Sequence, residues 1–383
     1  MNNPIYLDYA ASTPVAPEVA DLMRQHLTLD GTFGNPASRS HVYGWQAEEA
    51  VEAARVQVAE VINADPREII WTSGATESNN LAIKGLLGRA ERTGRRHIIT
   101  SLIEHKAVLD CAAYLQTLNF EVTYLPPDEV GRMPLDRLRE AIRADTLLVS
   151  LMQVNNELGV INDIDAIADL CREAGVLSHT DAAQSFGKMK IDVKASGVDL
   201  MSISGHKIYG PKGVGALFVR RVEGLKLDPL IHGGGHELGM RSGTLPTHQL
   251  VGLGAASQMM ADELSLEWPR IEALRQRFEG HLRQIPGCHV HSADRDRLPH
   301  IINVGFDGVQ GETLMLALNS LALSSGSACN SAAVEPSHVL LGIGLPRALA
   351  DASLRFSFGR FTDEDQIDQA AAVLSHTISQ LRR

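Results

Sequence analysis

Residues 68–87, EIIWTSGATESNNLAIKGLL, read as a strand, a sharp turn and a helix. After Glu68, the run IIWT is made of β-branched and aromatic residues. Ser73 and Gly74 then break it, capping side chains follow, and apolar residues recur at helical intervals. The same rhythm extends from about Arg55 to Phe218, where EIIWT, HIITS, FEVTYL, TLLVSLM, VLSHTD, LMSIS and GALFV are separated by segments with helical spacing. Alternation of this kind predicts βαβ units and an α/β fold built on a mainly parallel seven-stranded sheet. From about Thr247 to Arg283 the sequence is helical with no strand signal, and it reads as a bridge into a second unit. Beyond it, CHVHS, IINVGF, ETLMLALNSL, SHVLLGIG and SLRFSF predict a smaller α+β domain. The expected division is a large domain over 15–255 and a small one over 1–14 and 256–383, although the N-terminal strand IYLDYA suits either.

A chain of 383 residues exceeds what one hydrophobic core commonly holds. Hydrophobic residues at 44% and charged residues at 21% are ample for a buried core and exclude intrinsic disorder. The formal charge of -11 gives no support to a general nucleic-acid-binding surface. Cys111, Cys171, Cys288 and Cys329 are scattered and form no CxxC pair, which excludes a disulfide framework and a zinc knuckle and suits a reducing cytoplasm. MNNPIYLDYA has no basic region followed by an apolar one, and no apolar run approaches a membrane span, so the mature chain is expected to start near Met1.

The chemistry concentrates at strand ends. In LMSISGHKIYGPKGVG, Lys207 sits in a turn with Ser204, Gly205 and His206, small and polar residues that let backbone amides approach a phosphate. A lysine near other cations and shielded from water acquires the partly deprotonated amine that Schiff-base chemistry needs. Asp181 ends VLSHTD, 26 residues earlier, at the carboxyl end of a predicted parallel strand where open α/β sheets bind ligands. A carboxylate there can keep a pyridine nitrogen protonated, which makes the ring the electron sink of pyridoxal chemistry; taken alone, it could equally cap a helix. The turn Ser73–Thr76 aims free amides and a helix dipole at an anion, as a phosphate cradle would. His105, after HIITS, could stack on a ring and move protons, with an ordinary pKa of about 6.5. Cys329 lies in LALSSGSACNSAAVEP, which reads as a mobile loop, whereas Cys111 and Cys171 fall inside helical patterns and read as inert.

Seven segments together, TSGATESNN, EHKAV, NNELG, DAAQ, SGHKIYGPKG, GGGHELGMRSGT and SSGSACNSA, resemble the NifS/IscS cysteine desulfurases of the class V aminotransferase family. The likeness runs from YLDYAASTP to LRFSFGRFT. It implies the fold-type I architecture of pyridoxal 5'-phosphate-dependent transferases, in a homodimer with active sites at the subunit interface. It further implies that Lys207 forms the Schiff base, that Asp181 pairs with the ring nitrogen, and that His105 stacks on the ring and shuttles protons. Gln184 would contact the ring oxygen. Ala75, Thr76, Ser204 and His206 would bind the phosphate, Gly205 and Asn155 would also contact the cofactor, Thr244 would reach the partner subunit's phosphate, and Asn155 and Arg355 would hold the carboxylate of L-cysteine. Cys329 would take the sulfur as a persulfide, leaving alanine, and pass it to an acceptor protein. The serine-rich segment resembles the long-loop branch rather than the SufS-like branch. Asn330 stands where threonine is familiar, and the chain ends at Arg383, short of the C-terminal extension of the housekeeping enzymes. That departure weakens docking to an iron-sulfur scaffold, so tRNA thiolation or DNA phosphorothioation is the alternative destination for the sulfur.

Other classes of function fit less well. His232 with His236, or Cys288 with His289 and His291, could be taken for metal ligands. Consecutive glycines remove the helix that would align the first pair, however, and alternation along a strand separates neighbours in the second set. A partner subunit without activity would not keep the lysine, aspartate, histidine and cysteine together. An aminotransferase or a selenocysteine lyase would share the cofactor, and Cys329 is the residue that separates these readings.

Overall fold

The computed structural model describes residues 3–293, 296–325 and 336–383. Its strands in chain order are β1 (Ile5–Tyr6), β2 (Ile69–Thr72), β3 (His97–Ser101), β4 (Glu121–Leu125), β5 (Thr146–Ser150), β6 (Leu177–Asp181), β7 (Leu200–Ser204) and β8 (Gly215–Val219). They continue with β9 (Cys288–Val290), β10 (Ile301–Phe306), β11 (Leu321–Ala322), β12 (Ser324–Ser325) and β13 (Ser353–Ser357). The seven runs expected between Glu68 and Val219 form one seven-stranded sheet in the order β2-β8-β7-β6-β5-β3-β4. The pairs β3–β4, β3–β5, β5–β6 and β6–β7 are parallel, and β8 runs antiparallel to both neighbours. Every residue of β3, β5, β6 and β7 is buried, as both-sided helix cover of a parallel sheet requires, while edge strand β4 is partly exposed.

The order fixes where a ligand can lie. From β3 the chain moves outward to β4 and returns on the other side of β3 to form β5. Helices therefore diverge between β3 and β5, and a crevice opens at their carboxyl ends.

The second sheet is antiparallel, in the order β12-β13-β10-β9, and β1 pairs parallel with β11. A 36-residue helix, Thr247–Leu282, joins the two bodies. Its first half supplies Leu250, Leu253, Ala256 and Met260 to a core with Val51, Ala54 and Val58. Its second half supplies Ile271, Leu274, Phe278 and Leu282 to a separate core with Leu7, Val304, Phe306 and Phe356. The change of core falls between Met260 and Ile271, around Pro269, rather than at the expected 255/256, because the helix runs on unbroken past its first packing partners. The N-terminal segment serves both bodies, with Leu7 in the second core and Tyr9 in the first.

The segment read as a loop from Leu321 onward begins instead with β11 and β12. Their hydrogen-bonding partners, β1 and β13, are distant in sequence, so local composition carries no sign of them.

One ion pair holds the edge strand β2, whose end leads into the Ser73–Gly74 turn. Arg55 donates to both carboxylate oxygens of Glu237 at 2.8 and 3.0 Å and to the Ile69 carbonyl at 2.7 Å, while Glu237 also accepts from the Trp71 amide at 2.8 Å. Removing Glu237 leaves the buried Arg55 with only the exposed Glu52, 3.1 Å from its Nε, as a counter-charge, and takes away the acceptor of the Trp71 amide. Glu237→Ala should therefore lower stability by about 3–5 kcal/mol, measured by the shift of the urea-unfolding midpoint against wild type.

Candidate active site

Ala75, Thr76, His105, Asp181, Gln184, Ser204, His206, Lys207 and Arg355 line one cavity of about 670 Å³. They arrive from the carboxyl ends of β2, β3, β6 and β7 and from β13 of the second sheet, so the cavity lies where the two bodies meet. A larger, mostly apolar recess of about 780 Å³ beside Trp268 contains none of them.

Asp181 ends β6, is 7% exposed, and accepts hydrogen bonds from Asn79 Nδ2 at 2.7 Å and the Ala183 amide at 2.9 Å. Both donors are neutral, so the buried carboxylate has the chemistry to receive a cationic ring nitrogen. His105 is the N-cap of the helix Lys106–Gln116, and its Nδ1 accepts from the Ala107 amide at 3.1 Å. That bond occupies the Nδ1 lone pair and leaves Nε2 as the nitrogen that carries or gives up a proton. Burial moves the His105 pKa below the ordinary imidazole value and Lys207 acts in the same direction, while Asp181 opposes them.

Lys207 closes a single turn, Gly205–Lys207, directly after β7. Its Nζ donates to the carbonyls of Ala10 and Ala11 from the N-terminal segment. Gln184 is held at both ends of its amide: Nε2 donates to the Ala10 carbonyl at 2.8 Å, and Oε1 accepts from Lys188 Nζ at 3.1 Å. His206 Nδ1 lies 3.3 Å from Ser12 Oγ, and burial brings its pKa down to about 4, so the ring is neutral near pH 7.

The turn ahead of the helix Ala75–Lys84 passes through Gly74 at φ 146°, a conformation that side chains rarely adopt. Gly215, opposite Ser204 on β8, packs against it so closely that a Cβ there would lie 2.4 Å from the Ile203 carbonyl oxygen and 2.6 Å from Gly74 Cα. The first-turn amides of a helix have no partner within the helix, and an anion can accept from them.

Three of the expected residues do not line the cavity, and a fourth lies outside the described residues. Gly205 is buried under the turn, with the Pro211 carbonyl 3.0 Å from where its Cβ would be. Thr244 is exposed and does not line the cavity. Asn155 is not among the lining residues. Its Nδ2 donates to the Ile103 carbonyl at 3.1 Å, and its Oδ1 accepts from the amides of Glu157 and Leu158 at 2.9 Å, so the side chain builds the turn and does not face the cavity. Its neighbour Asn156 lines the cavity instead. Cys329 lies outside the described residues. Cys111 and Cys171 are buried, which pushes their thiols up to about 11 and about 12 and keeps them inert.

Residues that the sequence did not single out complete the site. Asn79 orients Asp181. Asp8 accepts from Arg355 Nη2 at 2.8 Å, and the Asn156 carbonyl accepts from Nη1 at 2.8 Å. The position of Asn79, one helical turn after Ala75 and on the same face, was a legible signal; nothing local marked Asp8.

The lining also tests whether pyridoxal phosphate fits. Asn79 Oδ1, Asn156 Oδ1 and Arg355 Nε are buried polar atoms on cavity residues with no hydrogen-bond partner, as expected where a polar ligand completes the set. A carboxylate for a ring nitrogen, a lysine, and an anion turn occupy the same cavity, so the donor set matches. No group of three or more histidine, cysteine, aspartate or glutamate side chains among the described residues could hold a metal. His289 instead pairs with Asp307 at 2.7 Å and His291 with Ser353 at 3.1 Å. No described helix is long and apolar enough to cross a membrane.

Residues 5–370 match the family Aminotransferase class-V. A curated relative, Cysteine desulfurase IscS of Shewanella oneidensis, is 58% identical over 382 residues, covering 100% of this chain and 94% of the relative. Among solved structures, a NifS-like protein is 34% identical with a TM-score of 0.91, covering 99% of this chain and 100% of the other. SspA in complex with cysteine is 41% identical with a TM-score of 0.83, covering 92% of this chain and 98% of the other.

The Gly215–Gly74 contact is open to test. Gly215→Ala should displace the Ser73–Ala75 turn and weaken retention of pyridoxal phosphate by roughly tenfold or more, since one charge-assisted hydrogen bond carries about that much. Equilibrium dialysis of the protein against the cofactor measures the change.

Proposed function

We propose a function from the premise that this chain belongs to the class-V aminotransferase family: it is a pyridoxal phosphate-dependent cysteine desulfurase. The observation that carries the reading is the full-length identity to a cysteine desulfurase together with a cavity that assembles Lys207, Asp181, His105 and Arg355. The overall change is L-cysteine plus a protein thiol giving L-alanine plus a protein persulfide. One C–S bond breaks, one S–S bond forms, and hydrogen replaces sulfur on the substrate β-carbon.

When bound, pyridoxal phosphate supplies the electron sink that labilises bonds at the substrate α-carbon. Asp181 would keep the ring nitrogen protonated, and Asn79 and the Ala183 amide hold that carboxylate in place. Lys207 would anchor the cofactor. Gln184, clamped between Ala10 and Lys188, can turn only its remaining N–H toward a ring oxygen. His105 would hold or move a proton at Nε2. Arg355 would take the substrate carboxylate, with Nε as the donor still lacking a partner. Cys329 would be the thiol that attacks the substrate sulfur and carries it away.

Two exposed segments support a homodimer. Residues Pro36, Ala37 and Arg39 share one recess with His236, Leu238 and Leu245, and Trp45, Val42 and Leu238 expose large apolar side chains nearby in the chain. Thr244 belongs to the second of these segments, which suits a reach into a partner's site. The sulfur would pass to an acceptor protein, an iron-sulfur scaffold or a thiolation enzyme, in the cytoplasm, with neither a membrane nor a nucleic acid as a direct partner.

Purified protein given L-cysteine should form alanine in step with persulfide. Cys329→Ser should bind cofactor and cysteine yet form no persulfide, and sulfur transfer at the wild-type rate by that variant would refute the assignment. Lys207→Ala should lose the lysine adduct that borohydride traps, with peptide mapping as the check.

A further inference from the structure

Glu157 lines the cavity beside Arg355, and none of the roles above uses it. It is 4% exposed, and its Oε2 lies 2.5 Å from Ser337 Oγ. The direction of that bond is fixed. Ser337 Oγ accepts from the amides of Val339 and Leu340 at 3.1 and 3.2 Å, so its single proton goes to Glu157.

The surrounding elements bring few charges. From β13, Arg355 acts on Glu157 through space. From the N-terminal segment, Asp8 already pairs with that guanidinium at 2.8 Å. From β10, Asn303 Nδ2 donates to the Glu157 carbonyl at 3.4 Å, and Ser337 supplies the hydroxyl. One end of the cavity therefore holds two carboxyl groups and one guanidinium. A substrate carboxylate arriving at Arg355 is a third, and a single cation cannot offset three anions around it when Glu157 is buried and Asp8 largely so.

We propose that Glu157 is uncharged while substrate binds, and that its ionisation weakens the hold of Arg355 on the substrate carboxylate. Glu157 is thus a positioning residue that acts on the substrate carboxylate through Arg355. The inference rests on the proposed role of Arg355. Burial pushes the Glu157 carboxyl up to about 7, outweighing the opposing pull of Ser337 and Arg355, so the change falls within the working range of an enzyme.

Glu157→Gln keeps an oxygen to accept the Ser337 proton and removes only the ionisation. The KM for L-cysteine is compared between holoenzyme and variant at pH 6 and pH 8.5; titrations of cysteine and cofactor occur in both proteins and cancel in the ratio. The wild-type-to-variant KM ratio should rise by roughly fivefold or more between the two pH values, the lower range of a coupling between two sites. The kcat ratio should show no such trend. A KM ratio independent of pH, or a trend carried by kcat, overturns the proposal.

Thermal melting gives a second readout that needs no turnover. A carboxyl whose native pKa lies above its unfolded value costs stability as pH rises from the unfolded value to the native one. The melting temperature of the variant relative to wild type should therefore be higher at pH 8 than at pH 5, and a difference that does not change with pH overturns the proposal. If wild type makes no alanine from L-cysteine, the desulfurase reading fails, and the melting comparison still decides the ionisation.

Discussion

Ala10 contributes both of its main-chain polar groups to the site. Its amide donates to Ser357 Oγ on β13 at 2.8 Å, and its carbonyl accepts from Lys207 Nζ and from Gln184 Nε2. Ser357 belongs to the second sheet, while Lys207 and Gln184 follow strands of the first. A single residue near the N-terminus therefore sets the distance between Arg355 on one body and the lysine on the other. Leu7 in one core and Tyr9 in the other hold the segment taut on both sides of that joint. Geometry of this kind converts burial far from the chemistry into precision at it.

Around that joint burial disfavours the charged form of several ionisable groups. Burial pushes the Glu104 carboxyl well above its ordinary range, although it accepts from the Met152 amide at 2.9 Å, and it lowers Lys188 and His300 well below theirs. His179, behind Asp181 in the sheet, is brought down to about 4. In such surroundings the remaining charges act at short range with little screening, so the field in the cavity comes from a few groups. Lys188 illustrates the trade. Its amine is buried with Gln184 Oε1 at 3.1 Å and His300 Nε2 at 3.2 Å as neighbours; the burial is costly, and the hydrogen bond that partly offsets it fixes the Gln184 amide.

Much of this could be read from the chain because strand ends carry their own signals. The seven β-rich runs alternate with helical spacing, and Asp181 and Lys207 are recognisable because each stands at or just past the carboxyl end of such a run. What could not be read depends on tertiary register. Asn155 and Asn156 differ by one position, and which of them faces the cavity is decided by the hydrogen bonds of Asn155 to the Glu157 and Leu158 amides. The strands β11 and β12 exist only because β1 and β13 pair with them. The change of core inside Thr247–Leu282 is hidden because a helix of uniform pattern passes from one set of partners to another. Asp8 is invisible for the same reason, since its partner is 347 residues away.

The described residues on either side of 326–335 meet the substrate end of the cavity through the same small set of groups. Ser324 Oγ donates to Asp8 Oδ2 at 2.9 Å, and Ser337 Oγ donates to Glu157. Asp8 pairs with Arg355 through its other oxygen, and the Asn156 carbonyl takes the second nitrogen of that guanidinium. One arginine thus stands between the two points from which the segment carrying Cys329 departs and returns. A change in charge at Arg355 is felt at both, directly through Asp8 and through space at Glu157. The group proposed to bind the substrate carboxylate and the chain positions that flank the proposed nucleophile therefore belong to one electrostatic unit, and neither can be altered without disturbing the other.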